Sequence, residues 1–190
     1  MAREMIRQGG RSARIQNEVQ AAVRALLEEV GRAALTVPMI ADRAGVTPST
    51  IYRRWGDLNQ LLADVAVEKL RPIADPEDTG STAGDLEAYI VGYADEMSSK
   101  VGRAVLRDIL AESDGEVAAV KCCRYTYDHL AVIAARATRR GEPPLDVPGI
   151  VDQVVAPIIY HVLFSDRDVN AGYCRELLAR LPLNRGRAAA

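Results

Sequence analysis

Residues 36–55 read TVPMIADRAGVTPSTIYRRW, and the spacing within this stretch decides the fold class. Two short runs with apolar residues at helical intervals, Val37–Ala44 and Pro48–Trp55, flank Gly45, which can take the positive φ of a tight bend. Each run follows a threonine, whose hydroxyl can cap a helix, and has a proline in its first turn. The stretch therefore predicts a helix-turn-helix, two short helices joined by a glycine-containing turn.

The second helix of this pair has an apolar face and a polar face. Ile51 and Trp55 lie four residues apart and are predicted to anchor the helix in the core. The outward residues offer hydrogen-bond donors, a methyl group and two cations, which suit the base edges and phosphates of DNA. Arg53 can bond guanine in bidentate fashion, and the Thr50 methyl or Pro48 can meet thymine methyls. The outward set is Pro48, Ser49, Thr50, Tyr52, Arg53 and Arg54.

Charge is divided unevenly between the two ends of the chain. Of 24 basic and 26 acidic residues, residues 1–56 hold nine and five, which leaves 15 and 21 beyond them. A lobe of net charge about +4 favours binding to nucleic acid, because cationic side chains that neutralise phosphates release condensed counterions. A solvated arginine-rich tail is the alternative. The N-terminal arm either enters a minor groove or remains an unstructured tail; its cations are Arg3, Arg7, Arg11 and Arg14.

Helical patterns continue on both sides of the pair. An apolar stripe from Ser12 to a stop at Gly31 predicts a first helix, and the leucines of Leu58–Leu70 predict a fourth. Residues 71–84 are rich in Pro, Gly, Asp, Ser and Thr and predict a linker. With aromatic residues at 5% and no long strand-like alternation, the chain is predicted to be all-α, with domains 1–70 and 71–190. Later helices are predicted at 85–100, 101–113, 116–140, 148–165 and 169–181.

The segment ALTVPMIADRAGVTPSTIYRRWGDLNQLL, residues 34–62, resembles the DNA-binding segment of TetR-family transcriptional regulators. The resemblance covers about residues 12–70. It implies an N-terminal three-helix helix-turn-helix lobe, joined through a fourth helix to a larger helical lobe for ligand binding and dimerisation. It also implies a homodimeric repressor that binds a palindromic double-stranded DNA operator, and a small-molecule effector that releases the DNA. A dimer places two recognition helices about 34 Å apart, so the effector is hypothesised to change this spacing.

Carried over residue by residue, the family pattern implies specific DNA contacts. Base contacts are expected near Pro48, Ser49, Thr50 and Arg53, and phosphate contacts from Thr36, Thr47, Tyr52 and Arg54. The chain departs from the pattern at two places. Trp55 stands where the family often has Phe, and residues 56–59 read GDLN where a lysine is common. A protein-binding or purely structural three-helix unit is the alternative, and a helical protein-interaction module is the alternative function.

Two further surfaces are predicted in the C-terminal half. A ligand pocket between helices would be mostly apolar with a few polar groups, and its candidates could equally be ordinary core positions. These are Tyr89, Tyr93, Met97, Leu106, Ile109, Tyr125 and His129. A broad apolar stripe predicts a four-helix dimer interface or, alternatively, a central core helix within one subunit. These residues are Val151, Val154, Val155, Ile158, Ile159, Val162, Tyr173, Leu177 and Leu181.

The sequence also argues against several classes of protein. It has no nucleophile elbow, zinc-protease motif, phosphate loop or dinucleotide fingerprint, so we expect neither an enzyme nor a cofactor. The three cysteines have no zinc spacing, and Cys122 and His129 would lie about 10 Å apart along a helix, so no metal is expected. Buried thiols are the expected state, with a redox or metal sensor as the alternative. The apolar run 154–164 is too short to span a membrane, so a cytoplasmic location is expected.

Overall fold

The computed structural model describes residues 5–111 and 116–182, and in those ranges the secondary structure is helical with no strand. The predicted all-α class is confirmed. Nine helices occur in the described ranges. They are α1 (Met5–Glu29), α2 (Val37–Arg43), α3 (Pro48–Trp55), α4 (Leu58–Lys69), α5 (Thr82–Ser98), α6 (Lys100–Leu110), α7 (Glu116–Arg139), α8 (Val147–Phe164) and α9 (Ala171–Leu178).

The chain divides into two compact units. The first contains Met1–Lys69 together with Asp108–Ala118, and the second contains Leu70–Arg107 together with Ala119–Ala190. The predicted boundary after residue 70 assigns Asp108–Ala118 to the other domain. A local reason for their place in the first unit is an ion pair between Arg32, in the turn after α1, and Asp108 on α6.

The core of the first unit is built by one face from each of its first four helices. Val19 and Val23 of α1, Ile51 of α3 and Leu61 of α4 are fully buried together, which matches the predicted apolar stripes. The helix-turn-helix itself is confirmed by its local geometry. The Thr36 hydroxyl caps α2 by accepting from the Met39 amide at 3.4 Å, and α3 begins at a proline. Between them the chain turns at Gly45, whose φ of 63° favours glycine.

An ion pair and a half-buried carboxylate hold this unit together. Arg43 of α2 donates two bonds to the Glu29 carboxylate at the end of α1, at 2.8 and 2.7 Å, and this bond lowers the pKa of Glu29. Asp64 of α4 accepts from Gln20 of α1 at 2.9 Å and from the Trp55 indole of α3 at 3.0 Å. Because this carboxylate on α4 accepts hydrogen bonds from both α1 and α3, it connects the three helices and fixes α3 relative to α1 and α4.

The second unit has its own core. Leu86 and Ile90 of α5, Leu130 of α7, Ile158 of α8 and Leu177 of α9 are buried in one cluster. At one end of this core, the Asp85 carboxylate is fully buried and accepts from the Thr79 amide, the Thr79 hydroxyl and the Arg140 guanidinium. Arg140 also pairs with Asp78 and Glu142, so the start of α5 is bound to the end of α7.

Helix α8 contains a π turn that the apolar spacing did not predict. Between Val147–Ile150 and Ala156–Phe164, residues Val151–Val155 form i→i+5 bonds, and Pro157 lies two residues after this turn. Proline lacks an amide hydrogen and clashes with the carbonyl four residues earlier, so a wider turn relieves the helix. The continuous stretch Val147–Phe164 is long and apolar enough, by length and composition alone, to cross a membrane. Five of its residues belong to the core described above, as in a helix packed inside a globular domain.

One predicted bound differs clearly from the structure. Helix α1 begins at Met5, seven residues before the predicted start, because the apolar stripe used for the prediction begins only after Ser12. The remaining bounds follow the capping residues to within a few positions.

Helices α5 and α6 meet closely at Gly102, where a Cβ would collide with the Glu96 carbonyl oxygen.

Candidate functional site

The recognition helix α3 presents a polar face to solvent. Ile51 and Trp55 are buried, as predicted, and they hold the helix against α1 and α4. The opposite face is exposed or half-buried, and Tyr52 retains about half of its surface at 49% exposure. The face comprises Pro48, Ser49, Thr50, Tyr52 and Arg53.

A group of three hydroxyls lies at the start of this helix. The Thr47 hydroxyl is 2.9 Å from that of Ser49 and 3.0 Å from that of Thr50. Thr47 occupies the cap position but makes no side-chain bond to the helix amides. The three hydroxyls therefore lie together at the start of α3, an arrangement that suits phosphate oxygens.

The two adjacent arginines of α3 differ in their surroundings. Arg53 is exposed, and the described residues provide it with no hydrogen bond or ion pair. Arg54 donates to the Ser12 hydroxyl at 2.8 Å and to Gln16 at 2.6 Å on α1, and it stacks on the Trp55 ring at 5.3 Å. Arg54 therefore ties the recognition helix to α1, which differs from the free phosphate contact that the resemblance implies.

The structure describes only some of the remaining residues that are predicted to contact DNA. Thr36 is exposed, although its hydroxyl also caps α2. Of the N-terminal arm, Arg14 pairs with Glu18 one turn later at 3.2 Å. Arg3 and the side chains of Arg7 and Arg11 lie outside the described residues. The arm's predicted contact with a minor groove stays a prediction.

A cavity of about 380 Å³ lies within the second unit, between α5, α7 and the segment that follows α4. Five of the seven predicted ligand residues line it: Tyr89, Tyr93, Met97, Tyr125 and His129. Leu106 packs in the core of the second unit, and Ile109 is buried and belongs to the first unit. These two leave the candidate set because their side chains are used in packing.

Several lining residues escaped the sequence analysis. Cys122 and Thr126 lie three residues before Tyr125 and His129, respectively, so helical spacing could have found them. Glu96 also lines the cavity and lies three residues after Tyr93 on α5, so the same spacing could have found it. Glu77 lines the cavity from the segment between α4 and α5, and nothing in its local sequence distinguishes it from a solvated surface acid.

The cavity wall is uncharged where it is buried. Burial raises the pKa of Tyr89 to about 12 and also raises that of Tyr93, although a hydrogen bond to Thr126 opposes both shifts. Burial likewise raises the pKa of the Cys122 thiol to about 11, with further contributions from Cys123 and Glu96. The Tyr89 ring contacts His129 edge to face, with 5.3 Å between ring centroids. At neutral pH the wall therefore offers neutral phenols and a neutral thiol.

A larger cavity of about 710 Å³ occupies another part of the second unit. It is lined by the loop after α7 and by the first turns of α5 and α8, with none of the predicted ligand residues. Its two acidic side chains are already used: Glu142 accepts from the Thr82 amide at 2.9 Å and Asp146 caps α8. The smaller cavity therefore remains the better ligand site. Among the described residues, no group of three His, Cys, Asp or Glu could hold a metal ion.

The structure corrects the predicted dimer residues. Six of the nine side chains are buried in the core of a single chain, so they have no surface to offer a partner: Val154, Val155, Ile158, Val162, Tyr173 and Leu177. Val151, Ile159 and Leu181 are half-buried. The apolar stripe is broad because one side of α8 fills its own core, which is the alternative noted from the sequence.

The exposed side of α8 carries different residues. Tyr160 and Phe164 are 58% and 71% exposed, and their rings lie 5.6 Å apart. They are one helical turn apart, so they form a continuous aromatic surface.

Comparisons with known proteins agree with this architecture. A family model described as "Bacterial regulatory proteins, tetR family" matches residues 20–65, and one described as "Tetracyclin repressor-like, C-terminal domain" matches residues 76–181. The chain is 27% identical to the uncharacterized HTH-type transcriptional regulator YdeS of Bacillus subtilis over 160 residues, which is 80% of each protein.

Solved structures show the same fold. The chain is similar to the TetR family transcription regulator SCO0332, with a TM-score of 0.65 and 24% identity over 87% of this chain and 94% of that one. It is also similar to a TetR transcriptional regulator from Agrobacterium tumefaciens, with a TM-score of 0.54 and 20% identity over 87% and 90% of the two chains. Since one family model alone matches more than half of the sequence, the chain belongs to the TetR family of helix-turn-helix transcriptional regulators.

Proposed function

We propose that this protein is a dimeric repressor that binds a palindromic DNA operator and releases it when a small molecule occupies the 380 Å³ cavity. The observation that carries the proposal is the exposed face of α3. It combines Arg53, free of described partners, with the Tyr52 ring, on a helix whose other side is buried in the core. The family is not an enzyme class, and we place the protein in the cytoplasm, where its operator lies.

The DNA contacts that we propose divide into two kinds. Pro48, Ser49, Thr50 and Arg53 lie toward the base edges, where Arg53 can donate two bonds to guanine. Thr36, Thr47 and Tyr52 contact phosphates and set the position of the helix. Arg54 acts indirectly, by holding α3 against α1.

We propose that the dimer forms through the exposed side of α8. Tyr160 and Phe164 supply apolar surface that a single chain leaves uncovered. Two copies related by a two-fold axis would bring two α3 helices to successive major grooves, about 34 Å apart. A ligand that binds better to a dimer with another spacing would release the DNA, and a difference of a few kcal/mol is sufficient.

The proposal is tested by selecting bound fragments from genomic DNA and measuring their affinity at two salt concentrations. We expect sequence-selective binding that weakens with salt and is lost in the Tyr52→Ala/Arg53→Ala double variant. Arg139→Ala, an exposed arginine at the end of α7, removes the same charge as Arg53→Ala and serves as the control. Equal binding by the double variant and the control would contradict the proposed role of α3.

A further inference from the structure

The cavity between α5 and α7 has a lining that selects for charge. Of its fourteen described lining residues, two are acidic, Glu77 and Glu96, and none is a lysine or arginine. Both carboxylates belong to exposed residues. The adjoining groove, which shares Tyr125 and His129 with the cavity, adds Arg71, Asp75 and Asp128, so it is also net negative.

The walls between these carboxylates are aromatic. Tyr89, Tyr93 and Tyr125 line the same space, and the first two rings lie 6.1 Å apart at an interplanar angle of 39°. The face of an aromatic ring carries negative potential and attracts a cation, most strongly where water is excluded. Burial keeps the phenols of Tyr89 and Tyr93 protonated, so the rings act as neutral faces.

The field of Glu96 reaches into the cavity. It contributes to the raised pKa of both Tyr89 and Cys122, which line the cavity beside it. An anionic ligand would meet this field with no lysine or arginine among the lining residues of the cavity to offset it. An uncharged ligand that covered the carboxylates would displace their hydrating water without providing a positive charge to pair with them. This desolvation would weaken the binding of the ligand.

From this lining we infer that the ligand of the cavity is an organic cation with an apolar or aromatic body. The cationic centre would lie among the tyrosine rings near Glu77 and Glu96, and the body would contact Met97 and Leu70. A volume of about 380 Å³ lies near the lower end of the roughly 300–1,000 Å³ of small-molecule sites, so a compact monocation fits best. The inference rests on the proposed function only where it identifies this cation as the effector.

The test compares three probes of nearly equal size. Benzyltrimethylammonium is the cation, neopentylbenzene is its uncharged carbon isostere, and phenylmethanesulfonate is an anion of similar shape. Isothermal titration calorimetry measures the two ions, and competition followed by NMR measures the isostere. We expect the cation to bind at least tenfold more tightly than either of the others.

Variants of the full chain then locate the preference. The Glu77→Gln/Glu96→Gln double variant keeps the shape of both side chains and, because both are exposed, is expected to fold normally. It should bind the cation about fivefold to tenfold more weakly, with the affinity for the isostere unchanged. Asp95→Asn removes one charge from the same helix outside the cavity and should have no effect.

The outcomes separate this inference from the proposed function. Failure of the cation to bind, equal or tighter binding of the isostere or the anion, or an unchanged preference in the double variant would overturn the inference. DNA release is then measured separately with the selected operator. Cation binding that depends on Glu77 and Glu96 but does not release DNA would support the ligand class and contradict the proposed effector response.

Discussion

Among individual residues, the two adjacent arginines of α3 have different surroundings, so we expect one to contact DNA and the other to hold the helix in place. Arg53 extends into solvent, whereas Arg54 bonds Ser12 and Gln16 and stacks on Trp55. Both residues look equivalent in the sequence, because each is an arginine on the polar side of a short helix. The difference arises from residues about forty positions earlier, which helical spacing alone does not bring into contact.

We expect Arg54→Ala to lower both the stability of the protein and its affinity for DNA. The free energy of unfolding should fall by about 0.5–1 kcal/mol, since the contacts are exposed, and DNA binding should weaken because α3 is less firmly held. Arg53→Ala should weaken DNA binding with stability unchanged. Urea unfolding followed by circular dichroism and DNA binding followed by fluorescence anisotropy measure the two effects.

Arg54→Lys is the matched variant for this test, because a lysine can reach one of the two α1 partners and should restore part of the stability. If Arg54→Ala lost DNA affinity with no change in stability, Arg54 would instead be a direct phosphate contact.

The three cysteines are expected to differ in reactivity. Cys122 has a raised pKa of about 11, and burial also raises the pKa of Cys174, so both remain protonated thiols at neutral pH. Cys123 is exposed. We expect iodoacetamide at pH 7.5 to label Cys123 first, as measured by peptide mass spectrometry.

Labelling of Cys122 should increase as the pH approaches 11, because the thiolate is the reactive form. Cys123→Ser identifies the peptide signal of Cys122 without competition from its neighbour. Rapid labelling of Cys122 at neutral pH would contradict its burial and reopen the redox alternative.

Among the helices, the bond between the start of α5 and the end of α7 makes the second unit sensitive to acid. Burial disfavours the Asp85 carboxylate, but the bonds from Thr79 and Arg140 outweigh it and lower the pKa of Asp85. A carboxyl group whose pKa is lowered in the folded state stabilises the protein at pH values above the pKa that the group has in the unfolded chain. That contribution is lost as the pH falls below about 4 toward the folded value.

We expect Asp85→Asn to lower the melting temperature at pH 7 and to make less difference as the pH falls toward 3. Melting followed by circular dichroism from pH 3 to pH 7 measures this. Asp152→Asn, an exposed acid on α8, provides the control. A constant difference between Asp85→Asn and the unmodified protein across this range would show that the charge of Asp85 has no part in stability.

The helices were predictable to different degrees for physical reasons. The Thr36 cap, the early prolines and the bordering glycines specified α2 and α3, because they satisfy or redirect backbone groups locally. The π turn in α8 was missed, since a proline within an apolar run can kink, end or widen a helix according to what packs around it. In the cavity, tyrosines spaced by one turn were found, and the same spacing on α5 includes Glu96, whereas the position of Glu77 depends on how a separate segment packs.

For the whole molecule, the exposed aromatic surface of α8 determines the expected assembly. The sequence showed a stripe too broad for one buried face, but it did not show which side a single chain covers. The structure assigns the side with Ile158 to the core and leaves Tyr160 and Phe164 exposed. An uncovered aromatic pair of this kind is typical of an interface.

We expect Phe164→Asp to convert the protein to a monomer, because a charge would be buried at the centre of the contact. Size-exclusion chromatography with light scattering measures the mass. Affinity for a palindromic operator should fall at least a hundredfold, while binding to a single half-site changes little.

Val120→Asp places the same charge at another exposed apolar residue, on α7, and should leave the mass unchanged. A dimer that persists in Phe164→Asp would move the interface to another surface.

The position of Trp55 has an optical consequence. It is the sole tryptophan in the chain, and its indole N–H is held by Asp64 at the end of the recognition helix, inside the first unit. The cavity of the second unit contains no tryptophan. A change in tryptophan emission on ligand binding would therefore report an effect of the ligand on the first unit. The protein carries its own label-free reporter at the end of α3.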